Sequence, residues 1–80
     1  MTLVTKAILF ALDYAHIKHQ PLTLINLQVE AQELDMAADV AKSLSLLQEY
    51  EYITVSPSGE ISLTEDGQSL VDTWKEGAGA

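Results

Sequence analysis

The chain has 80 residues, 48% of them hydrophobic and 20% charged, and no cysteine. That bounds it to one domain held by an apolar core and excludes a disulfide or thiolate-metal scaffold and a multidomain enzyme. Twelve acids stand against four lysines and no arginine, a formal net charge of −8, so the chain is repelled by phosphate backbones at long range and drawn to basic surfaces.

The charge is unevenly placed. Residues 1–22 hold two lysines against Asp13, whereas residues 23–80 hold two lysines against eleven acids. No apolar run reaches transmembrane length. Thr5, Lys6 and Asp13 interrupt the first apolar stretch and no small-residue cleavage site follows, so a signal peptide is not expected and a cytoplasmic location is. A single core of this size leaves only about 3–5 kcal/mol of net stability, which favours a partner or self-association surface.

The spacing predicts a first helix over residues 3–18, with Leu3, Ala7, Ala11 and Ala15 four residues apart beside Val4, Ile8, Phe10, Leu12, Tyr14 and Ile17. At 100° per residue, Thr5, Lys6, Asp13 and His16 share one side with Leu9 in their midst. The remaining apolar arc is wider than an ordinary core-facing stripe, and its surplus calls for cover by the other helices or by a second chain.

Pro21 ends this helix, and Thr23 is the expected N-cap of a second over residues 24–33, with Asn26 three residues on. Ile25, Leu27 and Val29 also alternate with Asn26, Gln28 and Glu30, which equally suits a half-buried strand; helix is the first choice. Ala37, Val40, Ala41, Leu44 and Leu47 mark the third helix, with Asp35 as its expected cap. Residues 52–55 and 60–63 read as a hairpin around Ser56-Pro57-Ser58-Gly59, with Pro57 in the turn and Gly59 free to take positive φ. Thr64 is the expected N-cap of a last helix, with Glu65 and Asp66 in its first turn and Leu70, Val71 and Trp74 as its apolar stripe. Residues 1–76 form one domain on this reading, and 77–80 a frayed tail.

Helix, helix, helix, hairpin, helix in this length resembles a winged helix-turn-helix domain of MarR-like and PadR-like transcription regulators, an α+β fold that is mainly α. The resemblance rests on Pro21-Leu22-Thr23 opening the second helix, the run Val40 to Leu47 as the third, and Tyr52 to Val55 entering the wing. The wing turn Ser56-Pro57-Ser58-Gly59 and an exit like the family's Leu-Thr-x-x-Gly, here Leu63-Thr64-Glu65-Asp66-Gly67, complete it. Two features depart from the pattern. The stretch from Leu27 to Val40 is longer than usual, and Glu51 replaces the Gly common before the wing, which predicts an end to the third helix other than a left-handed glycine cap.

The resemblance implies a third helix that reads the major groove. Here the positions facing away from Val40, Leu44 and Leu47 are Met36, Ala38, Asp39, Lys42, Ser43 and Ser45, and the wing offers Ser56, Ser58 and Glu60 but no cation. Specific DNA binders neutralise roughly 6–10 phosphates, and four lysines spread over the chain do not supply that. The preferred reading is therefore a protein-interaction module that inhibits or regulates a nucleic-acid-handling complex, mimicking phosphate on a partner's basic surface. Its candidate residues are Glu30, Glu33, Asp35 and Asp39 around the second turn, with Glu49, Glu51 and Glu60, joined by Glu65 and Asp66, near the wing. The alternative is a dimeric transcription regulator touching duplex DNA through Lys42, Ser43 and Ser45.

Catalysis is not expected, because no serine stands in a His and Asp pattern and no glycine-rich phosphate loop precedes a helix. His16 and His19 with Asp13 fall short of a metal-ligand set, so no metal and no cofactor are expected. Tyr50, Tyr52 and Trp74 read as core-packing aromatics. Leu9, Phe10, Tyr14 and Trp74 are the candidate seam of a homodimer, since first and last helices often pair in the resembling families.

Overall fold

A computed structural model describes residues 2–78. The chain is α+β and mainly helical: α1 (Leu3–Ile17), β1 (Leu22–Thr23), α2 (Leu24–Glu33), α3 (Ala37–Glu49), β2 (Ile53–Val55), β3 (Glu60–Leu63) and α4 (Glu65–Ala78). Residues 77 and 78, expected to fray, lie in α4; the last two residues of the expected tail lie outside the described residues.

Three helices begin on a threonine. Thr2, Thr23 and Thr64 accept at Oγ1 from the backbone N–H three residues on, at 3.2 Å from Thr5, 3.2 Å from Asn26 and 3.1 Å from Gly67, satisfying a donor that the first helical turn leaves unpaired. α3 is the exception. Its N-cap is Met36, with no side-chain capping bond, and Asp35, expected there, instead closes α2.

The closure takes the same form at three helix ends. His19, Asp35 and Glu51 adopt φ of 56°, 57° and 62°. The N–H of each bonds three residues back, to His16, Gln32 and Gln48, and the next N–H reaches five back, from Gln20 to Ala15, Met36 to Ala31 and Tyr52 to Leu47. This is a Schellman end, ordinarily built on glycine. The expectation at Glu51 is thereby corrected: the left-handed cap is made without glycine, because the two backbone bonds hold the geometry.

Leu22 and Thr23, read as merely opening the second helix, also form an edge strand. β1 pairs antiparallel with β3 (Leu22 with Ile61, Thr23 with Glu60), and β2 pairs on its other side (Ile53 with Leu63, Val55 with Ile61), giving the order β1-β3-β2. Gly59 turns the hairpin at φ 89°, donates its N–H to Ser56 O and accepts from Leu24 N, both at 2.9 Å. The turn is thus tied to the start of α2.

The core gathers Ile8, Leu9 and Leu12 of α1, Leu27 and Ala31 of α2, Val40, Leu44 and Leu47 of α3, Ile53, Ile61 and Val71. It overturns the expected placing of α1. Thr5, Leu9 and Asp13 are buried beside Ile8 and Leu12, whereas Leu3, Phe10, Tyr14 and Ile17 are exposed, so Thr5 and Asp13 of the side that reads as polar turn inward, Lys6 and His16 stay outside, and much of the apolar arc faces outward. The reason is that each inward polar group has a partner. Thr5 Oγ1 donates to Ser43 Oγ at 3.0 Å, and Asp13 takes a hydrogen bond from Gln68 at 2.9 Å and an ion pair from Lys75.

Candidate interaction surfaces

α3 presents fewer outward polar groups than its sequence promises. Ser43 is only 5% exposed and is held by Thr5, so it is unavailable as a DNA contact; Met36 is half-buried against the core. Lys42 and Ser45 are exposed, as are Ala38 and Asp39. Lys42 and Asp39 line one shallow depression with Leu3 and Leu46.

All nine acids of the candidate partner surface are exposed, but they do not form one group. Glu51 shares an open hollow of about 580 Å³ with Glu65 and Asp66 beside Gln48, Thr54 and Thr64. Glu60 faces elsewhere, lining a hollow with His16, His19 and Gln20. Glu30, Glu33, Asp35 and Asp39 follow the chain along α2 and into α3, and Glu49 ends α3.

The hollow holding Glu51 is rigidly framed. Thr64 Oγ1 donates to Glu51 O at 2.6 Å and its backbone N–H to Tyr52 O at 3.0 Å, while the same hydroxyl caps α4 through Gly67 N. A Cβ on Gly67 would fall inside contact distance of Tyr52 O and at 3.2 Å from Leu63 Cδ2. The Leu-Thr-x-x-Gly run therefore has a local physical purpose. It lets the first turn of α4 lie directly on the backbone that enters the hairpin.

Tyr50, expected in the core, is 64% exposed. Its ring is 6.2 Å from that of half-buried Tyr52, and the two line an apolar groove of about 350 Å³ with Thr2, Thr5, Leu46 and Leu47. Its apolar wall comes from α3 and the segment that follows it, and Thr2 and Thr5 at the start of α1 supply the polar side.

On the first helix, Leu9 is 0% exposed and is therefore removed from the candidate dimer seam. Phe10 and Trp74 remain at its surface with rings 5.7 Å apart, while Tyr14 lies under Lys18 Nζ at 5.7 Å rather than against Trp74. Burial of Asp13 pushes its carboxyl toward the neutral form, but the Gln68 hydrogen bond and the Lys75 charge outweigh this and hold it below the ordinary aspartate value. Among the described residues no group of three His, Asp or Glu stands close enough together to hold a metal ion, and no helix is long and apolar enough to cross a membrane. Compared with known proteins, the chain matches no protein family, no curated protein and no solved structure.

Proposed function

We propose that this chain is a winged-helix protein-interaction module without catalytic activity, offering carboxylates to a partner whose own surface is basic and built for nucleic acid. The observation that carries the reading is the state of α3. With Ser43 turned inward to Thr5, its exposed surface keeps one cation, Lys42, against Asp39 and Glu49, with Asp35 and Glu51 exposed at its two ends. A phosphate backbone approaching this face meets net negative charge.

Asp35 and Glu51 add a second support. Both sit in the left-handed region, where a side chain costs roughly 1–2 kcal/mol that glycine avoids. His19 carries the same cost at the end of α1, and the two such ends that flank α3 are both exposed acids. The fold component of the proposal rests on the order of three helices, hairpin and closing helix.

The test has two arms. Affinity capture from the source cells, with the native chain and with Asp35→Lys plus Asp39→Lys as bait, is expected to lose a basic partner in the double variant while its circular dichroism stays native. Fluorescence anisotropy of a labelled random-sequence duplex is expected to show no binding even at low salt. A double variant that keeps every partner overturns the acidic surface, and duplex binding that weakens as salt rises replaces it with the regulator reading, carried by Lys42 and Ser45.

A further inference from the structure

The groove beside Tyr50 has the surroundings of a cation site. It lies between the start of α1 and the end of α3, with Leu46, Leu47, Tyr50 and Tyr52 on its apolar side. The two tyrosine rings are 6.2 Å apart and tilted by 38°, and Tyr50 is 64% exposed. Tyr50 is also the C-cap of α3, where the helix dipole places partial negative charge, and α3 has no basic residue in its last turn to balance it. Its chain neighbours Glu49 and Glu51 are exposed carboxylates. The other surface rings are treated differently. Trp74 lies under Lys6 Nζ at 5.3 Å and Tyr14 under Lys18 Nζ at 5.7 Å, so that the negative face of each is met by a cation of the chain itself. Among the described residues neither Tyr50 nor Tyr52 has such a cation.

We propose that this groove holds an arginine side chain of the protein partner. Its guanidinium stacks on the exposed Tyr50 ring, its methylene stem lies against Leu46 and Tyr52, and the Glu49 and Glu51 carboxylates supply the counter-charge. Charge complementarity selects this occupant. A purely apolar side chain would fill the groove but leave the carboxylates and the helix end without a partner. Arginine fits better than lysine, because its planar, weakly hydrated guanidinium stacks on an aromatic face and offers a fork of donors to a carboxylate, whereas the compact ammonium of lysine holds its water. A nucleic-acid base could stack on the same ring, but its phosphates would meet Glu49 and Glu51. The proposal rests on the reading of a basic protein partner and names the side chain by which that partner is held.

Amide chemical shifts of the full chain, titrated with the capped tripeptide Gly-Arg-Gly, test the site. The largest changes are expected at Leu46, Tyr50 and Tyr52, with smaller ones for Gly-Lys-Gly and none for the neutral citrulline analogue. Tyr50→Ala is expected to weaken binding of the arginine peptide about 5-fold or more while the other amides keep their native positions. Tyr50→Phe, which keeps the ring face, is expected to bind as the native chain does, and Glu49→Gln with Glu51→Gln to bind more weakly. No change at Tyr50 and Tyr52, an equal change with the citrulline peptide, or unaltered binding by Tyr50→Ala overturns the proposal. A thymidine oligonucleotide that moves these amides more than the arginine peptide does also overturns it and assigns the groove to nucleic acid. Affinity capture separates this outcome from that of the acidic surface. A basic partner lost by Asp35→Lys with Asp39→Lys but kept by Tyr50→Ala overturns the groove alone, whereas arginine binding at Tyr50 with no basic partner captured overturns the reading of the whole chain and leaves the arginine site standing.

Discussion

Asp13 of α1 and Lys75 of α4 form an ion pair in which the carboxylate is buried and the ammonium is half-exposed. Gln68, two helical turns before Lys75, donates to the other carboxylate oxygen at 2.9 Å and to Asp72 at 3.1 Å. First and last helices are therefore joined by a polar clasp on the inward side of α1.

The clasp makes stability depend on pH. The Asp13 carboxyl is held below its ordinary value in the fold, so the stabilisation is present above the unfolded-state value of about 3.9 and is lost as pH falls through the lower, folded one. Chemical denaturation of the native chain should show a midpoint that drops on acidification through this range. In Asp13→Asn that drop should shrink. Asp13→Ala should cost about 1–3 kcal/mol at neutral pH, chiefly because Gln68 loses a buried acceptor; half-exposed Lys75 turns to water and contributes little.

The buried hydroxyl pair between α1 and α3 should behave as a unit. Thr5 donates to Ser43 at 3.0 Å and shares a 2.9 Å bond with Thr2. Thr5→Val or Ser43→Ala should each cost about 1–2 kcal/mol by leaving a partner unsatisfied, and the double variant should cost less than the two together. Urea denaturation of the four proteins measures the coupling, and strict additivity would mean that the bond contributes nothing specific.

Gly67 and Gly77 both lie in α4 and should respond to alanine with opposite signs. At Gly67 the added methyl would collide with the Tyr52 carbonyl, a backbone group that cannot move without disturbing the Thr64 bonds, so a loss of about 2–3 kcal/mol is expected. At Gly77 a Cβ meets nothing within 4 Å, and alanine should stabilise by a few tenths of a kcal/mol, the helix-propensity gain of about 1 kcal/mol being reduced near a helix end. Thermal melts of the two variants distinguish them.

Glycine at the three left-handed helix ends should do the reverse of its usual harm. His19→Gly, Asp35→Gly and Glu51→Gly should each stabilise by about 0.5–1 kcal/mol, the relief of left-handed strain exceeding glycine's greater freedom in the unfolded chain. If Asp35 and Glu51 serve the proposed surface, their glycine variants should melt higher yet capture less partner. His19→Gly should melt higher and capture as much.

Much of the secondary structure is legible in sequence because its determinants are local. Thr23 and Thr64 cap their helices within three residues, Pro57 and Gly59 set the hairpin turn, and the spacing of Val40, Leu44 and Leu47 states a helix whatever lies against it. The period-2 reading of residues 25–30 is resolved in favour of α2, since the Thr23 cap and the burial of Leu27 and Ala31, one turn apart, outweigh the alternation. β1 is missed because two residues carry no periodicity and become a strand only when β3 lies beside them. Among the candidate contacts, exposure of the acids is legible for the reason that solvated charges need no partner.

The facing of α1 is another matter. Sequence by itself determined that residues 3–17 are helical and which of them share a side; it did not determine which side is buried, because Thr5 and Asp13 read as polar until Ser43, Gln68 and Lys75 are brought to them from 38 or more residues away. Those pairings remove the cost of burying a hydroxyl and a carboxylate, and so release Leu3, Phe10, Tyr14 and Ile17 to the surface. The same act turned Ser43 inward and removed it from the face of α3. Elements follow from neighbours along the chain, whereas the surfaces they offer follow from which polar groups find partners across it.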